Sequence, residues 1–336
     1  MPNRWLVVAN PISGQGRAMH HRHEIEAVLR RHGIDYDFTV SERPGHAVEL
    51  VARAVERGCR RVLAIGGDGT VNECANGIFR QPAAPTDEVL LGVMPIGTGN
   101  DWARGLRLPK DYAEVAALMA SGTHRLHDAG VATFDHEAKG LPPAPLPREG
   151  GDAGSLRSQS VAGPALGLPG GGATRHFVNV AGLGFDAHVV ASLPDRTLGP
   201  LAYLVGLAKG LLSYDAVPLG LTFAERKIDA RAFVLFFAIG RYCGNGMNVA
   251  PRAEADDGLF DITLVQALSR WEVLMSLRKL FDGTLLEHPK VIALREAAAR
   301  VDAGPLPVEA DGELIGHAPV RFSILPRALR VLAPPK

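Results

Sequence analysis

The chain has 336 residues, enough for two ordinary domains, and 46% of them are hydrophobic, enough to fill sizeable cores. Its 36 Lys and Arg balance its 36 Asp and Glu, which argues against a dedicated nucleic-acid binder, since those carry a basic surplus. The three cysteines (Cys59, Cys74 and Cys243) include no C-x-x-C pair, so neither a zinc site nor a disulfide framework is expected, and a reducing, cytoplasmic setting is.

The opening MPNRWLVVANP enters a strand at once and lacks the features of a signal peptide. The run 5-WLVVA-9 is the first strand. Apolar residues at helical spacing across 18–32 predict a helix stopping at Gly33. A strand follows over 35–40, then a helix over 46–58 with Gly58 at its C-cap. Next come a strand over 61–65, a helix over about 71–79, a strand over 89–94 and a helix over 111–122. This alternation predicts an α/β domain over 1–134, a doubly wound parallel sheet covered by helices. Residues 135–173 are rich in Pro, Gly, Ser and Ala without apolar period, and read as a flexible insertion. Strand-like runs then dominate, at 176–182, 217–223, 232–240, 259–265, 319–325 and 329–333, with helices near 199–213 and 269–283. They predict a mainly antiparallel, β-rich second domain over 174–325, and a C-terminal strand within 326–336 that returns to the first domain. The segment 290–304 fits a helix or a pair of strands. The apolar window 198–214, interrupted by Lys209 and glycines, is too short to span a bilayer.

Three glycine-rich loops follow strands of the first domain: 10-NPISGQG-16, 66-GGDGTVNE-73 and 95-PIGTGND-101. Loops at the carboxyl ends of parallel strands line the ligand crevice. Glycines let backbone N–H groups approach a phosphate. Asn10, Pro11, Ser13 and Gly14, then Gly66, Gly67, Gly69 and Thr70, then Gly97, Thr98, Gly99 and Asn100 are therefore candidate nucleotide contacts, with Ser13, Thr70 and Thr98 adding hydroxyls. Neither a Walker A loop nor G-x-G-x-x-G occurs, and the chain has only seven lysines, so backbone dipoles, arginine and metal must meet the phosphate charge. A carboxylate among these loops implies a divalent cation or a ribose hydroxyl, so Asp68 is expected to organise Mg–ATP or to hold the ribose. Asn72 and Glu73, one turn on, reach the same crevice, unless Glu73 only complements the helix dipole. Arg17 and Arg104 follow two of the loops and are candidate phosphate partners. The run 20-HHRH-23 reads as a solvated helix face.

The set NPISGQG, GGDGTVNE and PIGTGNDWAR resembles the diacylglycerol kinase catalytic domain family, which includes sphingosine, ceramide and bacterial lipid kinases and shares its GGDGT-type loop with NAD kinases. The similarity continues at 182-GLGFDAHV-189, 244–265 and 309-EADGELI-315. It implies an ATP- and Mg2+-dependent lipid kinase, with the site between two domains and a role in phospholipid metabolism. It implies a metal on Glu254, Asp257 and the Leu259 carbonyl, in a loop where Asp256 is an alternative ligand and Asp261 is expected to face solvent. It places the acceptor of the lipid hydroxyl proton at Asp311 or Glu313, alongside Asp68 in the catalytic set. It assigns Ser41 a nucleotide contact, with Ser where the family has Thr and His46 where it has Asp. The implied partner is a lipid at a membrane surface, met peripherally and transiently. Oligomeric state is not legible, and a homodimer is compatible. The alternatives are a soluble kinase of the NAD type and a non-catalytic lipid- or nucleotide-binding module.

Overall fold

The computed structural model describes residues 4–135, 166–167, 173–192, 210 and 214–335. The chain begins with alternating elements: β1 (Trp5–Ala9), α1 (Arg17–His20), α2 (Arg22–Arg31), β2 (Tyr36–Val40), α3 (His46–Glu56), β3 (Arg61–Gly66), α4 (Asp68–Arg80), β4 (Leu90–Pro95), α5 (Asp101–Gly105) and α6 (Tyr112–Ser121). Strands then dominate, with β5 (His124–Phe134), β6 (Leu166–Gly167), β7 (Ala173–Phe177), β8 (Val180–Gly184), α7 (Phe185–Ser192), β9 (Val217–Thr222) and β10 (Lys227–Ala238). After these come β11 (Tyr242–Cys243), β12 (Met247–Asn248), β13 (Phe260–Gln266), α8 (Arg270–Ser276), α9 (Lys279–Asp282), β14 (Val291–Glu296), β15 (Ala298–Ala303), β16 (Pro307–Ala310), β17 (Glu313–His317) and β18 (Val320–Leu332).

In the first part β2, β1, β3 and β4 pair in parallel in that order. Alternate side chains leave opposite faces of such a sheet, and both faces are apolar here. Val8, Val62, Ala64, Leu91 and Val93 pack with Val51 and Val55 of α3 and Cys74 and Ile78 of α4. Val7, Leu63, Ile65 and Met94 pack with Ile25 and Leu29 of α2 and Val115 and Met119 of α6. Helices therefore cover both faces, the doubly wound arrangement expected. The second part is antiparallel around β10, which pairs with β8, β9 and β13. Its core stacks Phe177, Phe237, Phe260 and Phe322. Segment 290–304 resolves as two strands, β14 and β15.

β18 joins the two parts. It pairs antiparallel with β15 and β5 along its length, and then parallel with β4 at Arg330↔Leu90 and Val331↔Leu91. Three local expectations need correcting. The helix read over 18–32 breaks at His21 into α1 and α2. The helix read from about residue 71 begins at Asp68, directly after the glycine pair. Asp261 is buried at 7% exposure, because Arg295 of the neighbouring β14 supplies a cation at 3.4 Å. The helix expected near 199–213 and most of the 135–173 insertion lie outside the described residues.

Leu332, fully buried, lies against Gly92 of β4, where a Cβ would stand 3.1 Å from its Cδ2. Leu332→Ala removes this contact at the seam and is expected to cost about 2–5 kcal/mol, read as a lower midpoint in urea unfolding.

Candidate active site

The carboxyl ends of β1, β3 and β4 bring the three glycine loops together. Space between them is so small that side chains are excluded. A Cβ on Gly97 would stand 2.5 Å from the Gly67 Cα, and one on Gly14 would collide with the Ile96 carbonyl. Ser13 Oγ and Thr70 Oγ1 lie 3.4 Å apart between the first two loops. Asn10 Oδ1 accepts from the Ile12 amide at 3.2 Å, and Asn100 Nδ2 donates to the Gly97 carbonyl at 2.8 Å, so each asparagine shapes its own loop. Thr98 is exposed at the mouth and Pro11 partly so. Arg17 ties the first loop to the third, donating to the Gly14 carbonyl at 2.9 Å and the Ile96 carbonyl at 3.0 Å. It is thereby a clasp of the cradle.

Asp68 is the first helical residue of α4, and its carboxylate turns sideways. Its two oxygens accept from the amides of Asp101 at 3.1 Å and Trp102 at 3.0 Å, the opening residues of α5. A carboxylate at a helix N-terminus satisfies amides that have no partner within the helix. Asp101, beside it, accepts from the Asn245 amide at 2.7 Å and from Arg104 at 2.9 Å. Burial first, then the negative charge of Asp68, pushes the Asp101 carboxyl up. Arg104 also lies over the Tyr242 ring. Asp101 was not singled out from the sequence, although it closes the GTGND motif. The missing signal was its partner, the Gly244–Gly246 turn 144 residues on.

Glu73 and Ser41 sit on the other side of the cradle. Both Glu73 oxygens accept amides at the start of α3, from Gly45 at 3.0 Å and Ala47 at 3.1 Å. The helix it complements is thus α3 and not its own. Burial raises its carboxyl. Ser41 directly follows β2, buried, with its hydroxyl 3.5 Å from the Ala9 carbonyl.

The second part of the chain reaches this cradle through the turn between β16 and β17. Asp311 and Gly312 both take left-handed conformations, φ 50° and 85°, in a two-residue hairpin turn. The Asp311 carboxylate is buried and accepts four hydrogen bonds: from Val178, Asn179 and Val180 amides at 2.9, 3.0 and 3.1 Å, and from Asn72 Nδ2 at 2.8 Å. Burial pushes its pKa up to about 6, and these donors hold it from rising further. Glu313, two residues on, instead faces the first part: its Oε1 is 3.7 Å from where a Cβ on Gly69 would lie. Asn72 thus meets the second part through Asp311, while Gly69 meets it through Glu313. Beneath the turn, Glu309 accepts the Gly312 amide at 2.9 Å and is hydrogen-bonded to Asp186. Both carboxyls are pushed up by burial, and Glu309 also by the charge of Asp186.

In the acidic loop over 254–259, Asp257 accepts the Leu259 amide at 3.0 Å and forms a close ion pair with Arg295, which also reaches Asp261. Arg295 is thereby the cation that Asp257 meets in this structure. Among the described residues no group of three or more His, Cys, Asp or Glu side chains is placed to hold a metal ion. The loop is anchored by Asp128 of β5, fully buried, which accepts amides from Gly258 at 2.7 Å and Arg327 at 2.6 Å. Asp128 lies in a strand the sequence reading passed over.

Residues 4–132 match the family described as diacylglycerol kinase catalytic domain, and residues 179–333 the one described as YegS C-terminal NAD kinase beta sandwich-like domain. The first part of the chain is thus matched as a diacylglycerol kinase catalytic domain. That match and the names of the relatives indicate a lipid kinase. A diacylglycerol kinase of Mycobacterium tuberculosis (strain CDC 1551 / Oshkosh) is 29% identical over 332 residues, which are 97% of this chain and 94% of that protein. One from Staphylococcus haemolyticus is 26% identical over 98% of this chain and 87% of its own. The fold is shared with a crystal structure of a diacylglycerol kinase from Bacillus anthracis str. Sterne, at a TM-score of 0.68 and 20% identity over 99% of this chain and 97% of that one.

The two carboxylates of the DGE turn are expected to separate experimentally. Asp311→Asn places a donor against backbone amides in a buried network and is expected to cost about 2–4 kcal/mol. Glu313→Gln keeps the size of the side chain and is expected to cost less than Asp311→Asn. Thermal unfolding of both variants checks the contrast.

Proposed function

We propose that the protein transfers the γ-phosphate of ATP to the hydroxyl of diacylglycerol or a related lipid, serving phospholipid metabolism from a peripheral position on a membrane. The observation that carries this reading is Glu313, brought from the second part of the chain to Gly69 in the glycine cradle. A cradle that excludes Cβ atoms suits a polyphosphate, because amides reach its oxygens without obstruction. The loop residues Asn10, Pro11, Ser13, Gly14, Gly66, Gly67, Gly69, Thr70, Gly97, Thr98, Gly99 and Asn100 are its lining. Ser41 and Glu73 shape its outer wall, with Glu73 acting through the start of α3.

Asp68 and Asp101 are the residues suited to hold Mg2+ with the nucleotide. A Cβ on Gly99 would lie 3.3 Å from a carboxylate oxygen of each, so the two acids converge on one point beside the cradle. Arg104 meets one oxygen of Asp101, the charge of Asp68 adds to that of Asp101, and oxygen donors suit magnesium. When bound, magnesium neutralises charge on the transferring phosphoryl group. Asp68 also holds α5 in place, which keeps the third loop closed on the second.

In the transfer, the lipid hydroxyl oxygen bonds to the γ-phosphorus, the bond to the β-phosphate bridging oxygen breaks, and ADP leaves. The hydroxyl proton passes to the Glu313 carboxylate. Asp311 positions that base, since its four hydrogen bonds leave it no freedom to serve as acceptor and instead fix the turn.

Glu313→Gln is expected to lower kcat by about 10²–10⁴-fold with little change in KM for ATP, measured by phosphate transfer to dispersed diacylglycerol. Incubation with labelled ATP and a total lipid extract, followed by chromatography, should give one or more labelled lipids. A labelled NADP product from NAD, with no labelled lipid, would sink the lipid reading.

A further inference from the structure

Of the large apolar side chains exposed among the described residues, four cluster on one short stretch: Trp271 at 69%, Leu274 at 55%, Met275 at 64% and Phe281 at 59%. The stretch is the helix pair α8–α9. Residues 271, 274 and 275 share one face of α8, at the spacing of successive helical turns. The opposite face is anchored: Val273 is buried, and Leu280 packs with it against Met247, Val249 and Phe233. A capping box fixes the start of α8, with Ser269 and Glu272 exchanging hydrogen bonds at 3.3 and 2.8 Å. The apolar face is thus presented by a held element.

Its charges are sorted. Glu272 is paired with Lys290 at 2.8 Å, and Asp282 accepts from the Thr284 amide and hydroxyl at 3.0 and 2.6 Å. The carboxylates are therefore occupied locally. Arg270 is exposed at the rim, and the Arg278 side chain is 90% exposed despite a 3.5 Å contact with Asp282. A tryptophan-led apolar face bordered by exposed arginines matches the interface of an anionic bilayer, where rings sit at headgroup depth and cations meet lipid phosphates.

The patch also adjoins the site. Gly283, at the end of α9, lies against Asn248 of β12, where a Cβ would stand 3.2 Å from its amide nitrogen. The β11–β12 hairpin that carries Asn248 turns at Gly244–Gly246, and Asn245 there donates to Asp101. One hairpin spans from the apolar face to the cradle.

We propose that α8–α9 is the surface by which the protein docks on an anionic lipid bilayer, with Trp271, Leu274, Met275 and Phe281 entering the interface. The choice of a bilayer as occupant rests on the lipid kinase reading. Docking at this place holds the cleft beside the membrane while the acyl chains of the substrate stay in it.

The chain carries its own probe. Of its three tryptophans, Trp5 and Trp102 are each 2% exposed, so Trp271 alone can report contact at the surface. The full chain, without nucleotide, is mixed with vesicles of phosphatidylcholine alone or with phosphatidylglycerol added. The expected result is sedimentation with the anionic vesicles, weakened by salt, and a blue shift of tryptophan emission that Trp271→Gln abolishes. The triple variant Leu274→Gln, Met275→Gln, Phe281→Gln should bind at least tenfold more weakly while phosphorylating a dispersed short-chain diacylglycerol at the wild-type rate. An unshifted emission with protein left in the supernatant overturns the proposal, as does undiminished vesicle binding by the triple variant. A dimer in light scattering that the triple variant loses, without vesicle binding by wild type, assigns the face to a second copy instead. A protein that phosphorylates dispersed lipid but ignores vesicles loses only this surface. One that binds vesicles but phosphorylates nothing loses only the kinase reading.

Discussion

The buried carboxylate of Asp311 is the constraint on which the site depends. An ionised carboxylate in a closed interior is tolerable only with its oxygens filled by donors. Asp311 meets that condition by drawing three consecutive amides from the link between β7 and β8, and one side-chain amide from α4. The three amides fix the irregular start of β8. The fourth bond crosses to α4 in the first part of the chain and ties the hairpin turn to it. Glu313 then follows as a geometric consequence, because a two-residue turn leaves the next side chain little choice of direction.

A second requirement is close backbone approach. The cradle exists because Gly67 and Gly97, and Gly14 and Ile96, touch where any side chain would collide. Such contacts need the carboxyl ends of β1, β3 and β4 held in register, and the seam formed by β18 against β4 helps to hold them. The strand that closes the antiparallel part is therefore also part of the frame for the glycine loops.

Burial first, and then the charges of Asp186, Glu309, Asp101 and Asp68, raise the thiol of Cys243. Backbone amides satisfy Asp68, Asp101 and Glu309, and Asp186 is hydrogen-bonded to Glu309. Arg104 neutralises Asp101 directly, at 2.9 Å.

Much of this was legible in the residues alone. Apolar periodicity separated the strands and helices of the first part, and the glycine loops marked the crevice, because both signals are local along the chain. The β-rich character of the second part was equally plain in its alternating runs. The loop residues were read correctly as neighbours, since successive parallel strands must bring their ends together. What tertiary structure alone decided are the pairings across long separations. Glu73 turned to α3, Asp257 met Arg295, and Asp261 was buried, since each answered a partner that no local pattern announces. Asp101 and Asp128 went unnoticed for the same reason. The two acids of the DGE turn are chemically alike, and only folding made them different. One was enclosed by four donors and the other was left facing Gly69, because burial and hydrogen bonding belong to the place a side chain reaches and not to its type.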